Sequence, residues 1–111
     1  MKSICKLYLI VFSLIYSQYA SSGWSSYGEV TSVTSHNGLH LLHTTIQDST
    51  CDGRGKFWWP TDDTDAKDML SISLAALMSG KRVRLVHDNQ NLQCRLGNQF
   101  NMATHIEIVH D

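Results

Sequence analysis

Residues 56–87 read KFWWPTDDTDAKDMLSISLAALMSGKRVRLVH, and the order of elements in that stretch decides the fold. Lys56-Phe57-Trp58-Trp59 is a short aromatic strand, ended by Pro60, which has no N–H to give to a sheet ladder. Thr61-Asp62-Asp63-Thr64-Asp65 then places capping residues and negative charge where a helix start has unpaired N–H groups and a positive dipole end. Ala66, Met69, Leu70, Ser73, Leu74 and Leu77 recur at helical spacing. Ile72, Ala75, Ala76 and Met78 widen that stripe, which predicts a helix covered on more than one side. Gly80 stops the helix, and Lys81-Arg82 sit at its negative end. Val83, Leu85 and His87 alternate with Arg82, Arg84 and Val86 in another strand.

Upstream, Glu29 to Thr34 is rich in β-branched residues and reads as a first strand. Asn37-Gly38 follows, a strong hairpin signal because both positions tolerate positive φ. Leu39 to Ile46 forms the returning strand, with Leu39, Leu41, His43 and Thr45 on one face and His40, Leu42, Thr44 and Ile46 on the other. Asp48 to Gly55 is a loop that carries Cys51. Downstream, Asp88 to Gln93 is a polar turn leading to Cys94, Asn98 to Asn101 is a second polar loop, and Thr104 to His110 alternates as a last strand. The predicted order is β-β-β-α-β-β, a mainly β chain with one helix. A helix between strands three and four of five is the connectivity of the OB fold, so the expectation is a five-stranded OB-like barrel. An open sheet with one helix packed on it is the rival.

The N-terminus reads as an export signal. Lys2 and Lys6 flank a short positive start, Leu7 to Tyr16 is an apolar core of about ten residues, and Ala20, Ser21, Ser22 and Gly23 are small. The core is too short to span a bilayer. Cleavage after Ser22 fits best, with Ala20 as the alternative, giving a signal peptide at 1–22 and a single domain at 23–111. Cleavage takes away Lys2 and Lys6 and leaves seven Lys/Arg against ten Asp/Glu, a net charge of −3. That balance excludes an electrostatic nucleic-acid binder. Of the three cysteines, Cys51 and Cys94 remain, and an even pair in an exported domain reads as one disulfide. Closing that loop stabilises the fold by roughly 4 kcal/mol in the chain-entropy model. The protein is expected to be secreted or periplasmic, with no stable membrane insertion after cleavage.

Histidines 36, 40, 43, 87, 105 and 110 remain in the mature chain. His40 and His43 are three apart on a strand, so they point to opposite faces and make no ligand pair by themselves. A cross-strand set of His43, His87 and His105 is the remaining metal reading. There is no HExxH and no second cysteine pair, and neither metal nor cofactor is expected. Asp62, Asp63, Asp65 and Asp68 lack the glycine and distant glutamate of a calcium loop and read as helix-start residues. No GxSxG elbow exists, so a serine hydrolase is not supported. A small histidine-dependent nuclease is carried only as an alternative, and the chain is read as a non-enzyme. Trp24, Tyr27, Phe57, Trp58 and Trp59 are the aromatic set of interest. Phe57 and Trp59 face one side of their strand and Trp58 the other, which predicts at least one of these rings at the surface or an interface, where aromatic area usually meets a partner.

Ala66-Lys67-x-Met69-Leu70-x-Ile72-x-Leu74-Ala75-Ala76-x-Met78-Ser79-Gly80-Lys81-x-Val83-x-Leu85, placed between two cysteines, resembles a group of small exported bacterial proteins. Its turn Ser79-Gly80-Lys81-Arg82-Val83-Arg84-Leu85 is similar to that of the B subunits of pentameric AB toxins such as subtilase cytotoxin and typhoid toxin. Trp24 near the mature N-terminus, Gly28 opening the first strand and His36-Asn37-Gly38 closing it add to the likeness. The resemblance implies an OB fold, a ring of five identical subunits, cell-surface glycan binding and a toxin A chain as partner. In those subunits a serine just before the first strand touches the glycan, and Ser25-Ser26-Tyr27 stands in the matching region. The residues expected to contact a ligand or partner are Ser26, Tyr27, Trp58 and Trp59. The alternative is a monomeric periplasmic or secreted protein-binding or inhibitor domain.

Overall fold

The computed structural model describes residues 23–48, 50–87 and 93–110. The expected signal peptide and nearly all of the expected turn at Asp88 to Gln93 lie outside the described residues. The elements are β1 (Gly28–His36), β2 (Leu39–Thr44), β3 (Lys56–Pro60), α1 (Ala66–Ser79), β4 (Arg82–His87) and β5 (Asn101–Ile108), so one helix separates three strands from two. The strands close on themselves in the order β1-β2-β3-β5-β4 as a barrel. All pairings are antiparallel except β3 with β5. That parallel seam is short: Phe57 pairs with Asn101, and Trp58 with Met102.

The hairpin forms where the Asn-Gly pair places it. Asn37 has φ 50° and Gly38 φ 77°, and His36 pairs with Leu39 across the turn. A register shift between Val30 and Ser32 bends β1, which lets its start leave β2 and pair with β4 through Gly28↔Val83 and Glu29↔Arg82. Gly28 sits at that crossing. A Cβ there would come within 2.7 Å of Ile46 Cγ1, so the approach of the chain after β2 requires glycine.

The barrel interior is filled by Leu42, Phe57, Trp59, Val83, Leu85 and Ala103, capped by Ala66, Met69 and Ala76 of α1. Alternation along β2, β3 and β4 puts one face of each strand into this core. α1 ends at Gly80, whose φ is 71° and whose N–H donates to the Ala76 carbonyl. Its start differs from expectation: Asp65 is the N-cap but makes no side-chain capping bond. The helix is also covered on one side only. Leu74, Leu77 and Met78 remain 43%, 37% and 85% exposed, so the wide apolar stripe outruns what the barrel mouth buries.

The fifth strand starts three residues before the predicted Thr104. Asn101, read as part of a polar loop, is buried in β5, and its side-chain oxygen accepts from the Thr50 hydroxyl and from the N–H groups of Thr50 and Cys51. Three donors satisfy an amide that would be costly to bury alone. They also dock the loop that carries Cys51, which is bonded to Cys94 with a Cα–Cα distance of 5.8 Å. The disulfide is the one expected from the cysteine count.

A second, smaller cluster lies outside the barrel wall. Leu41, Trp58 and Phe100 are buried together, with Leu39 and Met102 against them. The segment on either side of Cys94 covers this face: the Trp58 indole N–H donates to the Gln93 carbonyl at 2.8 Å, and the Arg95 guanidinium lies 4.8 Å from its ring centroid.

Candidate functional site

Two of the four expected contact residues are not at the surface. Trp58 is 2% exposed and Trp59 0%. Trp59 faces the interior and donates its indole N–H to the Ala66 carbonyl at 3.2 Å. Trp58 faces outward, as the alternation requires, but the disulfide-linked arm lies over it. The expectation of an exposed ring among residues 57–59 is therefore corrected. A pattern of period two gives the face of a ring and is blind to a distant segment laid over that face.

Ser26 and Tyr27 do stand at the surface, and the structure sets Trp24 beside them. Trp24 is 42% and Tyr27 46% exposed. The lead-in to β1 is tied down along its length. Trp24 makes an isolated bridge to Val86, the Ser25 N–H donates to the Leu85 carbonyl at 2.7 Å, and the Leu85 N–H donates to Ser25 Oγ at 3.0 Å. The Ser26 N–H donates to Asp48 Oδ2 at 2.8 Å, and the Ser26 hydroxyl donates to Asp48 Oδ1. Burial alone would raise the Asp48 carboxyl. The Ser26 hydroxyl and amide, its own backbone amide and the charge of His87 outweigh that, and hold it below its usual value.

The outward face of β4 supplies the cations. Arg84 lies 4.3 Å from the Trp24 ring centroid and 5.3 Å from that of Tyr27, and Arg82 lies 5.5 Å from Tyr27. Arg84 Nη2 also donates to Glu107 Oε2 on β5 at 3.2 Å. Val83 and Leu85 point into the core at the alternate positions, so strand geometry aligns the two guanidiniums on one side. The result is an open ladder of ring, guanidinium, ring, guanidinium. Each such contact stabilises by about 0.5–1 kcal/mol at an exposed site.

Beside this ladder, α1 and β5 diverge to leave a cleft of about 320 Å³. Trp24 forms part of its wall, and Met69, Ile72 and Ile106 supply apolar lining. Its polar lining is mostly acidic: Asp65 at the N-cap of α1, Asp68 in its first turn and Glu107 from β5, with Thr104 and His105. His105 Nδ1 shares a hydrogen bond of 2.9 Å with Thr104 Oγ1.

The histidines are dispersed. His40 packs against Trp59 with ring centroids 5.6 Å apart and hydrogen bonds Ser35, whereas His43 packs on Phe100 at 5.3 Å and hydrogen bonds Ser32. Among the described residues no group of three His, Cys, Asp or Glu could hold a metal ion, so His43, His87 and His105 are not brought together as ligands. Among the described residues no helix is long and apolar enough to cross a membrane.

Sequence reasoning named Trp24 among the aromatic residues and in a family likeness, but not as a contact residue, and passed over Arg82, Arg84 and Glu107 as site residues. The signal for the guanidiniums was present: two arginines at alternate positions of a half-buried strand share its outer face. Their aromatic partners precede β1 and become neighbours only when the barrel closes. No protein-family model, curated protein or solved structure matches this chain.

Proposed function

We propose that this chain is an exported binding module, an OB-like barrel of the toxin-B-subunit kind, that assembles with copies of itself and binds a cell-surface glycan. The observation that carries the reading is the exposed pair Trp24 and Tyr27, fixed on a disulfide-bonded barrel next to a cleft. Flat rings held rigidly at a surface suit stacking against sugar rings. Closure of five strands in the order β1-β2-β3-β5-β4, with the helix between the third and fourth, supports the OB assignment. The disulfide supports an oxidising compartment outside the cytoplasm.

Self-assembly is supported by Leu74, Leu77 and Met78, an apolar face on α1 with no cover within the described residues. A catalytic A chain is the further partner of a ring of this kind. The ligand contacts are Ser26, Tyr27 and Trp24, and buried Trp58 and Trp59 have no part in them. Light scattering on the oxidised chain 23–111 tests the assembly: a mass near five protomers supports the ring, and a clean monomer removes it in favour of a protein-binding or inhibitor module. A glycan array on wild type and Trp24→Ala tests the ligand. Signals lost in the variant support the reading, and no signal from either protein overturns it.

A further inference from the structure

We propose that the cleft between α1 and β5 takes a neutral, hydroxyl-rich sugar and rejects an acidic one. The proposal rests on the glycan-binding reading and names the class of sugar. A volume of about 320 Å³ is at the lower end for small-ligand sites, the scale of a sugar terminus rather than of a long chain. The chemistry of the lining decides the class. Three carboxylates, Asp65, Asp68 and Glu107, face the cleft, and each oxygen can only accept. Asp65 and Asp68 make no side-chain hydrogen bond or ion pair among the described residues, so their acceptor capacity is unspent. Donors are scarce. His105 and Thr104 already share a hydrogen bond. The nearest guanidinium, Arg84, is stacked on Trp24, bound to Glu107, and has its Nε buried.

A site with acceptors in excess is matched by a ligand with donors in excess, and sugar hydroxyls donate. The Trp24 wall and the apolar lining of Met69, Ile72 and Ile106 fit the C–H face of such a ring. A sugar carrying its own carboxylate would bring a further negative charge beside the unpaired Asp65 and Asp68 and the Arg84-bound Glu107. Arg84 does little to offset this: its Nη2 is bound to Glu107, its face is stacked on Trp24, and its unpartnered Nε is buried out of a ligand's reach.

The test uses the oxidised chain 23–111 and two matched probes, N-acetyllactosamine and the same disaccharide with a terminal sialic acid, titrated by intrinsic fluorescence and by NMR shifts. The neutral probe is expected to bind at least tenfold more tightly. Asp65→Asn/Asp68→Asn keeps the shape and removes two charges, and is expected to bring the two affinities within about threefold of each other. Trp24→Ala is expected to lose both. Tighter binding of the sialylated probe, or a preference unchanged in the double variant, overturns the proposal while leaving glycan binding intact. Binding of the neutral probe that survives Trp24→Ala places the sugar elsewhere and also overturns it. Absence of binding by both probes, with or without binding of a lysine-bearing tetrapeptide, overturns this proposal and, with a blank glycan array, the glycan reading with it.

Discussion

The Arg84 guanidinium lies 4.3 Å from the centroid of the Trp24 ring, so a strand in the second half of the chain positions a side chain that precedes the first strand. The same guanidinium is 5.3 Å from Tyr27 and bonded to Glu107. Replacing Arg84 by Met keeps part of the apolar stem and removes the charge. The expected cost is about 1–2 kcal/mol, two exposed cation–π contacts with little added for the half-exposed ion pair. The sharper readout is local: the Trp24 side chain should gain fast motion in NMR relaxation. Unchanged order at Trp24 in Arg84→Met would show that the backbone ties alone hold the ring.

Reduction of Cys51–Cys94 should act on Trp58 before it acts on Trp59. The bond ties down the arm whose Gln93 carbonyl and Arg95 guanidinium cover the Trp58 ring, whereas Trp59 is sealed inside the barrel. The expected loss of stability is roughly 4 kcal/mol, from the loop-closure entropy released to the unfolded chain. In mild reductant, tryptophan emission should shift to the red in wild type and much less in Trp58→Phe. An equal shift in both proteins would mean that the barrel opens as one unit.

Acidification should weaken the fold in two steps. Partial burial, and then the positive charge of Lys56, lower the pKa of His43 below its usual 6.5. The unfolded chain therefore binds the proton more readily, and stability is lost as pH falls from 6.5 through the folded-state value. Asp48, held below its usual 3.8, loses its contribution as pH falls from 3.8 through its own folded-state value. Urea midpoints measured between about pH 8 and pH 5 isolate the histidine step. His43→Gln should flatten that slope, and an identical slope in the variant would exclude His43 as its source.

Met78→Glu and Leu74→Glu should leave the barrel folded, because both side chains are already exposed. The expected change in stability is within about 0.5 kcal/mol, as for surface substitutions generally. If α1 is the contact between copies, either variant lowers the mass seen by light scattering to that of one protomer. An unaltered assembly would place the contact on another face.

What the chain revealed about itself follows the range of the forces involved. The Asn37-Gly38 turn, the helix stop at Gly80 and the alternation of Arg82 to His87 depend on neighbours a few residues apart, and each stands where local chemistry places it. Apart from the helix start, where Asp65 makes no side-chain cap, the misreadings involve partners far apart in sequence. Asn101 looked like a loop residue because its donors, Thr50 and Cys51, are about fifty residues away. Trp58 looked exposed because its cover comes from beyond the helix. Leu74 and Leu77 looked buried because a stripe of apolar residues does not say how much of it the rest of the chain can reach. Of the candidate site, the sequence named Ser26 and Tyr27, which stand at the surface, whereas the Arg84–Glu107 pair needed the β4–β5 register, Arg84↔Glu107, to be seen.

The parallel seam has a consequence for how the protein reaches its native state. The β1–β2 hairpin closes over two turn residues, but the seam must join Phe57 and Trp58 to partners 44 positions further on, after the helix and β4 have been placed. Long-range parallel pairing is the slow step in chain collapse, because ordering of the intervening residues precedes any reward. The Cys51–Cys94 bond closes most of that intervening chain into a loop, and Cys51 is docked on Asn101, the first residue of the seam on β5. A covalent link there shortens the search. Refolding of the reduced chain should then wait on oxidation, and chains held reduced would accumulate with a formed hairpin and an unclosed barrel.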